Sequence, residues 1–137
     1  MIFFAWKDEY MTHIKELDEQ HQKLVVLVNS FYADLLQYQN NEQKREIVMR
    51  TLHALVDYSC YHFEAEENLM RKYEYTEYEQ HKEEHERFKS QIARFIQEQT
   101  ETPLVAPFPI VVFLRDWLIT HIMKTDKQYG PFLTARM

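Results

Sequence analysis

The stretch IKELDEQHQKLVVLVNSFYADLLQY, residues 14–38, decides the fold. Its Ile14, Leu17, His21, Leu24, Val28, Phe31, Leu35 and Tyr38 recur at alternating steps of three and four. That spacing lays them along one face of a helix of about seven turns, because side chains three or four residues apart stack above one another. A half-buried strand would alternate at every second residue, and this segment does not. One member of the stripe is out of place: His21 puts an imidazole in the middle of an otherwise apolar face.

The same rhythm continues down the chain. Val48, Leu52, Leu55, Ser59, His62, Glu66, Leu69 and Tyr73 make a second stripe. Tyr78, His81, His85, Phe88, Ile92 and Phe95 make a third, and Ile110, Leu114, Trp117 and His121 a fourth. Asn40 and Asn41 separate the first two helices, and Thr76 to Glu79 has the capping-box pattern that starts the third. Pro103, Pro107 and Pro109 mark the only long loop, residues 100–109. The fourth helix is expected to start near Pro109, where a missing N–H costs little. Gly130-Pro131 is expected to end it. Four amphipathic helices with mostly short connections predict an all-α, up-down-up-down antiparallel four-helix bundle. The expected layout is one domain over 1–137: an aromatic-rich N-terminal arm (1–12), the bundle (13–126) and a short tail (127–137).

Composition agrees and narrows the function. A chain of 137 residues buries a core without staples. A single Gly argues against hairpin-rich sheets and Gly-rich phosphate loops. A single Cys, Cys60, excludes an intramolecular disulfide and a four-thiolate metal site. A net charge of −6 argues against nucleic acid as a partner. The apolar start, Met1 to Trp6, runs at once into Lys7-Asp8-Glu9 and has no secretory-leader pattern. The longest apolar run, Leu104 to Leu114, holds two prolines and is too short for a bilayer. These features predict no membrane insertion and a cytoplasmic location.

What the stripes carry is chemistry. Of seven histidines, His21, His62, His81, His85 and His121 fall on core stripes, and so does Glu66; His13 and His53 lie off them. A carboxylate or imidazole in an apolar core costs roughly several kcal/mol unless it is paired or metal-bound. The stripes hold too few polar partners for all six, so a metal site accounts for them. His62 and Glu66 are four apart, as are His81 and His85, so each pair points the same way from one helix face. Asp126 is five residues past His121, which puts it about 140° away on a regular helix. It is either a solvated residue near a helix end or a seventh ligand, and the second case requires an irregular, π-like turn between Ile122 and Asp126. Five imidazoles with two carboxylates exceed the needs of one ion. Two ions sharing carboxylates would use them and leave one position open for a small ligand.

These residues resemble a known pattern. Asp18-Glu19-Gln20-His21, then His62-Phe63 with Glu66-Glu67 and Met70, then His81, His85 and Phe88, then Trp117-Leu118, His121-Ile122 and Asp126 are similar to the hemerythrin family, in particular its single-domain bacterial members. The match runs from Trp6 in the arm to Asp126. The resemblance implies a non-haem di-iron centre with His21, His62, Glu66, His81, His85, His121 and Asp126 as ligands. His81, His85 and His121 would hold one iron, and His21 and His62 the iron with the open position. Glu66, Asp126 and an oxo or hydroxo group would bridge them. The implied function is reversible O2 binding for storage or delivery, without catalysis, with an O2-consuming enzyme as the recipient. A dry pocket over the open iron is expected from Leu24, Val25, Phe63, Trp117, Leu118 and Ile122, with Leu118 nearest the ligand. Ser59, one turn before His62, either offers its hydroxyl to that pocket or bonds its own helix backbone. His13 is expected to be solvated and His53 to pack peripherally.

Other readings use the same residues. The centre could sense O2, nitric oxide or iron instead of carrying O2. His81, Glu84 and His85 also match the H-x-x-E-H pattern of a zinc peptidase, a reading that leaves His21, His62, Glu66 and His121 unexplained. A ferritin-like oxidase needs Glu-x-x-His on two helices, and the chain has none. A metal-free interaction bundle is the remaining alternative.

Overall fold

The computed structural model describes residues 3–37, 41–101 and 108–137, with the side chains of 41 and 124–127 outside that description. Tyr38, Asn40, Pro103 and Pro107 therefore lie outside the described residues. A 3-10 turn at Asp8–Tyr10 precedes α1 (Lys15–Gln37), α2 (Asn41–Lys72), α3 (Tyr78–Glu101) and α4 (Phe108–Thr120). A π-helical segment, His121–Asp126, then leads into α5 (Lys127–Thr134). Among the described residues there is no strand.

The four long helices form the antiparallel bundle expected from the stripes, with α1 packed against α2 and α4, and α2 against α3. Large rings fill the gap between α3 and α4. Phe88 lies 4.2 Å from Trp117, and Phe95 lies edge-on to Phe113 at 5.3 Å. Such offset and edge-to-face pairs hold two helices side by side while keeping their axes apart.

The ends of the helices are set by polar chemistry that has no need of glycine. Asp18, in the first turn of α1, accepts hydrogen bonds from the Thr12 N–H and hydroxyl, both at 2.7 Å, and from the His13 N–H at 3.1 Å. The chain turns sharply there through His13, whose φ is 68°. At the far end of α2, Glu74 adopts φ 57°. The Tyr75 N–H bonds back to the Met70 carbonyl and the Glu74 N–H to that of Arg71, closing the helix with the pair of bonds usually completed by glycine. α3 begins at Tyr78, within two residues of the Thr76 start expected from the capping pattern.

The arm is part of the core. Phe4 is buried, and its backbone N–H and C=O are both taken by the Asn29 side chain of α1, at 2.8 and 2.7 Å. Phe3 stacks on Tyr32 at 4.3 Å, and Trp6 meets Tyr10 edge-on at 5.4 Å.

The C-terminal segment departs from the sequence expectation. Gly130-Pro131 does not stop the chain; both lie inside α5, which brings Tyr129 and Leu133 into full burial. Proline's lost hydrogen bond is a local cost in the second turn of a short helix. Burying a large aromatic and a leucine outweighs it, each contributing roughly 1.5–3 kcal/mol. Gly130 suits its place, because a Cβ there would stand 3.2 Å from the Thr12 carbonyl oxygen and push it back by a few tenths of an ångström.

Buried apolar residues form two clusters. The larger includes Leu24, Val28, Phe31, Leu52, Leu55, Phe88 and Leu114. The smaller contains Ile14, Leu17, Met70, Tyr75, Tyr129 and Leu133. On α1 the residue between Leu17 and Leu24 is His21, and on α2 Glu66 stands between Leu55 and Met70. The polar residues of the stripes are thus sandwiched between two apolar layers.

Candidate metal centre

Glu66 is the middle of that sandwich and is fully buried. Its position, one turn after His62 on α2, aims both side chains the same way. Its two oxygens face different partners. Oε1 lies 3.1 Å from His21 Nε2 and 2.7 Å from His62 Nε2. Oε2 lies 2.9, 3.1 and 3.4 Å from the Nε2 atoms of His81, His85 and His121. Two sets of donors, each with its atoms within 4.8 Å of one another, follow: His21, His62, Glu66 and His121, and Glu66, His81, His85 and His121. Five imidazoles from α1, α2, α3 and the π segment therefore converge on one carboxylate. The arrangement is a buried metal-binding cluster: nitrogen and oxygen donors with no thiolate, in an interior that tolerates charge only when it is compensated.

Burial alone would push the Glu66 carboxyl up. The surrounding imidazoles, His62 and His121 first and then His21, outweigh it and hold the carboxyl well below its usual range. That favours the ionised carboxylate, the form in which such a group binds a metal.

Two further side chains fix the orientation of the ring ligands. His62 Nδ1 donates to Gln20 Oε1 at 2.7 Å, and His85 Nδ1 donates to Glu67 Oε2 at 2.8 Å. A proton held on Nδ1 leaves the Nε2 lone pair pointing at the cluster. Burial raises the Glu67 carboxyl, but the His85 hydrogen bond overcomes this and lowers it. Flat stacking adds to the restraint. Phe63 lies on His85 with ring centroids 3.9 Å apart, and Trp117 on His121 at 4.6 Å. Tyr129, delivered by α5, meets His81 edge-on at 5.1 Å. Gln20 and Glu67 stand in the stretches that carry the family resemblance but were given no role there, and Tyr129 was not picked from the sequence at all. For the first two the available signal was adjacency, since each stands next to a stripe ligand with its own side chain buried.

The structure brings six of the seven predicted ligands together: His21, His62, Glu66, His81, His85 and His121. The Asp126 side chain lies outside the described residues. The irregular turn that its participation requires is present, since His121–Asp126 is π-helical. A π turn closes most of the angular gap that an α-helix leaves between positions five apart.

A small apolar pocket of about 10 Å³ sits beside the cluster. Leu24, Phe63, Trp117 and Leu118, four of the expected wall residues, line it, together with Phe88 and Leu114. Ser59, with 1% of its surface exposed, lines it too. Val25 and Ile122 are buried in the main core and do not line this pocket. Glu84, the third residue of the zinc-peptidase pattern, belongs to neither donor set and lines a cleft on the other side of His81. His13 is exposed as expected, while His53 is exposed instead of packed at the periphery.

Known proteins resemble this chain in sequence and fold. A family profile described as "Hemerythrin HHE cation binding domain" matches residues 12–133. The chain belongs to the hemerythrin family. It is 32% identical over 136 residues to a bacteriohemerythrin of Methylococcus capsulatus, spanning 98% of this chain and all of that one. It is 29% identical over 130 residues to a hemerythrin-like protein of Naegleria gruberi, covering 95% and 93% of the two chains. A wild-type hemerythrin crystal structure superposes with a TM-score of 0.84 at 31% identity, covering 96% of this chain and 98% of that one. Among the described residues, the His, Cys, Asp and Glu donors grouped closely enough to hold a cation are the two overlapping sets that share Glu66 and His121. No helix among those residues is long and apolar enough to cross a membrane.

Proposed function

We propose that this hemerythrin-family chain holds two iron ions bridged by Glu66, Asp126 and an oxo or hydroxo group, and binds O2 reversibly for storage or delivery. The observation that carries the reading is the division of Glu66: one oxygen faces two histidines and the other faces three. A carboxylate shared this way fits a pair of ions better than one. The unequal histidine count gives one member of the pair a spare position. Histidine and carboxylate without thiolate is a donor set that suits iron. The names of the bacteriohemerythrin relatives support the same choice.

When bound, the iron pair supplies the electrons that O2 binding draws on and takes back on release. The protein's task is to keep that exchange reversible. His81, His85 and His121 would hold one ion, and His21 and His62 the other. Gln20 and Glu67 keep two of the rings in the tautomer that leaves Nε2 free to bind. Leu24, Trp117 and Leu118 keep water out of the adjoining pocket, and a dry wall withholds the protons that would let reduced oxygen leave.

The test is anaerobic reduction of the iron-loaded protein, followed by cycles of air and argon, with visible absorption recorded and iron quantified. A coloured form that appears in air and disappears under argon, at two irons per chain, is expected. Iron near zero, or a single irreversible conversion to a diferric form on the first exposure, would overturn the proposal.

A further inference from the structure

The described cluster residues are buried, with Phe63, Trp117 and Tyr129 against three of the imidazoles, so a hydrated cation needs a route to them. His21, His62, His85 and Glu66 are 0% exposed and His121 is 1%, whereas His81 is 4% exposed. His81 also lines a surface cleft of about 40 Å³, bounded by Tyr75, Glu77, Gln80, Glu84 and Gln128. Room for one or two water-sized groups exists there. The lining is opposite in character to the pocket over Leu118. That pocket is apolar except for Ser59, while the cleft presents two carboxylates and two amides within reach of a buried metal ligand.

We propose that the cleft formed by Glu77, Gln80, Glu84 and Gln128 over His81 is the route by which divalent metal enters and leaves the buried cluster. The proposal rests on reading that cluster as a metal centre. The reason is the cost of dehydration. A divalent cation sheds its water only where other oxygen donors replace it, and carboxylate and amide oxygens do so while leucine and tryptophan rings do not. Carboxylates at the mouth also concentrate cations there and raise the rate of encounter. His81 stands between the cleft and Glu66, with its Nε2 2.9 Å from Glu66 Oε2, so an ion that passes its ring from the cleft meets this pair of donors first. The division of labour is spatial: cations use the polar side at α3 and α5, and a neutral diatomic uses the apolar side at α4.

The test compares the rate of Co2+ uptake by the metal-free full-length protein, and of its release from the loaded protein to a chelator, for wild type, Glu77→Gln, Glu84→Gln and the double variant. Glu46→Gln serves as the control for loss of one surface charge. It stands sixteen residues before His62 on the same helix, about 24 Å away along the axis. The double variant is expected to load and release about tenfold more slowly, with an unchanged final stoichiometry and visible spectrum, and with a weaker slowing by added salt than wild type. Gln128→Phe, which narrows the cleft without removing a charge, is expected to slow both directions as well. Uptake and release by the double variant and by Gln128→Phe at wild-type rates would overturn the route while leaving the metal centre intact. Failure of the wild-type protein to take up metal at all would overturn the centre itself, and the route with it.

Discussion

Glu67→Ala should weaken metal binding in one half of the cluster and leave the other half nearly untouched. Glu67 Oε2 accepts the Nδ1 proton of His85 at 2.8 Å, and its side chain is 11% exposed. A hydrogen bond to an ionised group in such a place is worth roughly 1.5–3 kcal/mol, or about 10- to 100-fold in an equilibrium constant. His85 directs its other nitrogen to Glu66 Oε2, alongside His81 and His121, so the loss falls on that side. Glu67→Gln keeps an acceptor and removes the charge, and should cost about 1 kcal/mol, near fivefold. Gln20 performs the same office for His62 as a neutral amide at 2.7 Å. Gln20→Ala should therefore cost less, roughly 0.5–1.5 kcal/mol, and on the Oε1 side. Competition titration of Co2+ against a chelator is expected to resolve two affinities per chain, and the variants then assign each loss. If Glu67→Ala and Gln20→Ala weaken the same metal, or if both bind as wild type does, the idea that these two side chains orient separate halves of the site is wrong.

Leu118→Ala removes a buried wall of the apolar pocket. It should lower unfolding stability by about 2–5 kcal/mol in urea titrations and speed the spontaneous oxidation of the reduced, iron-loaded protein; an unchanged oxidation rate would remove Leu118 from the pocket's function. Asn29→Ala breaks both bonds to the Phe4 backbone and should cost about 1–3 kcal/mol. Its sign in hydrogen exchange is faster exchange confined to the arm, with the helices protected as before. The metal-free protein should also have a pH window. Burial raises Glu67, but its bond to His85 brings the carboxyl below 4.5, so its share of stability is present above 4.5 and is lost as pH falls through the lowered value. Burial lowers His85, but its bonds to Glu66 and Glu67 take the ring above 6.5, so its share is present below 6.5 and is lost as pH rises through the raised value. The stability gap between wild type and Glu67→Ala, measured by denaturant at a series of pH values, should be widest between about 4.5 and 6.5.

The helices and most of the ligands were legible because both obey one rule. A residue on the core stripe faces inward whatever its chemistry, so His21, His62 and Glu66 announced themselves by standing where Leu24 and Leu55 stand. Gln20 and Glu67 were hidden by the same rule. Each sits one step off its stripe, where polar residues are ordinary, and only the packing of a neighbouring helix turns that step into burial. α5 was hidden by a competition between local and distant effects. Gly130-Pro131 reads as a stop at the level of backbone propensity, and the fit of Tyr129 and Leu133 against Ile14, Leu17 and Met70 overrides it. The arm was recognised by its aromatics, but its anchoring by Asn29 was not, since an asparagine that binds backbone twenty-five residues away leaves no periodic trace. The π turn was inferred from an awkward spacing alone, and the backbone has it.

That π turn also sets the helical phase of everything downstream. Its wider coil lodges one surplus residue in the final stretch of chain, and α5 is wound from wherever it finishes. Excising a single residue within 121–126 would let the segment tighten into ordinary α-helix and rotate α5 by about 100° about its axis. Tyr129 would then swing away from the His81 ring and Leu133 out of the lower apolar layer, while Gly130 would no longer present its bare face to Thr12. An insertion or deletion there is thus a gear-tooth error, felt in α5 and at the metal ligands together, beyond the apolar contacts of Ile122 itself.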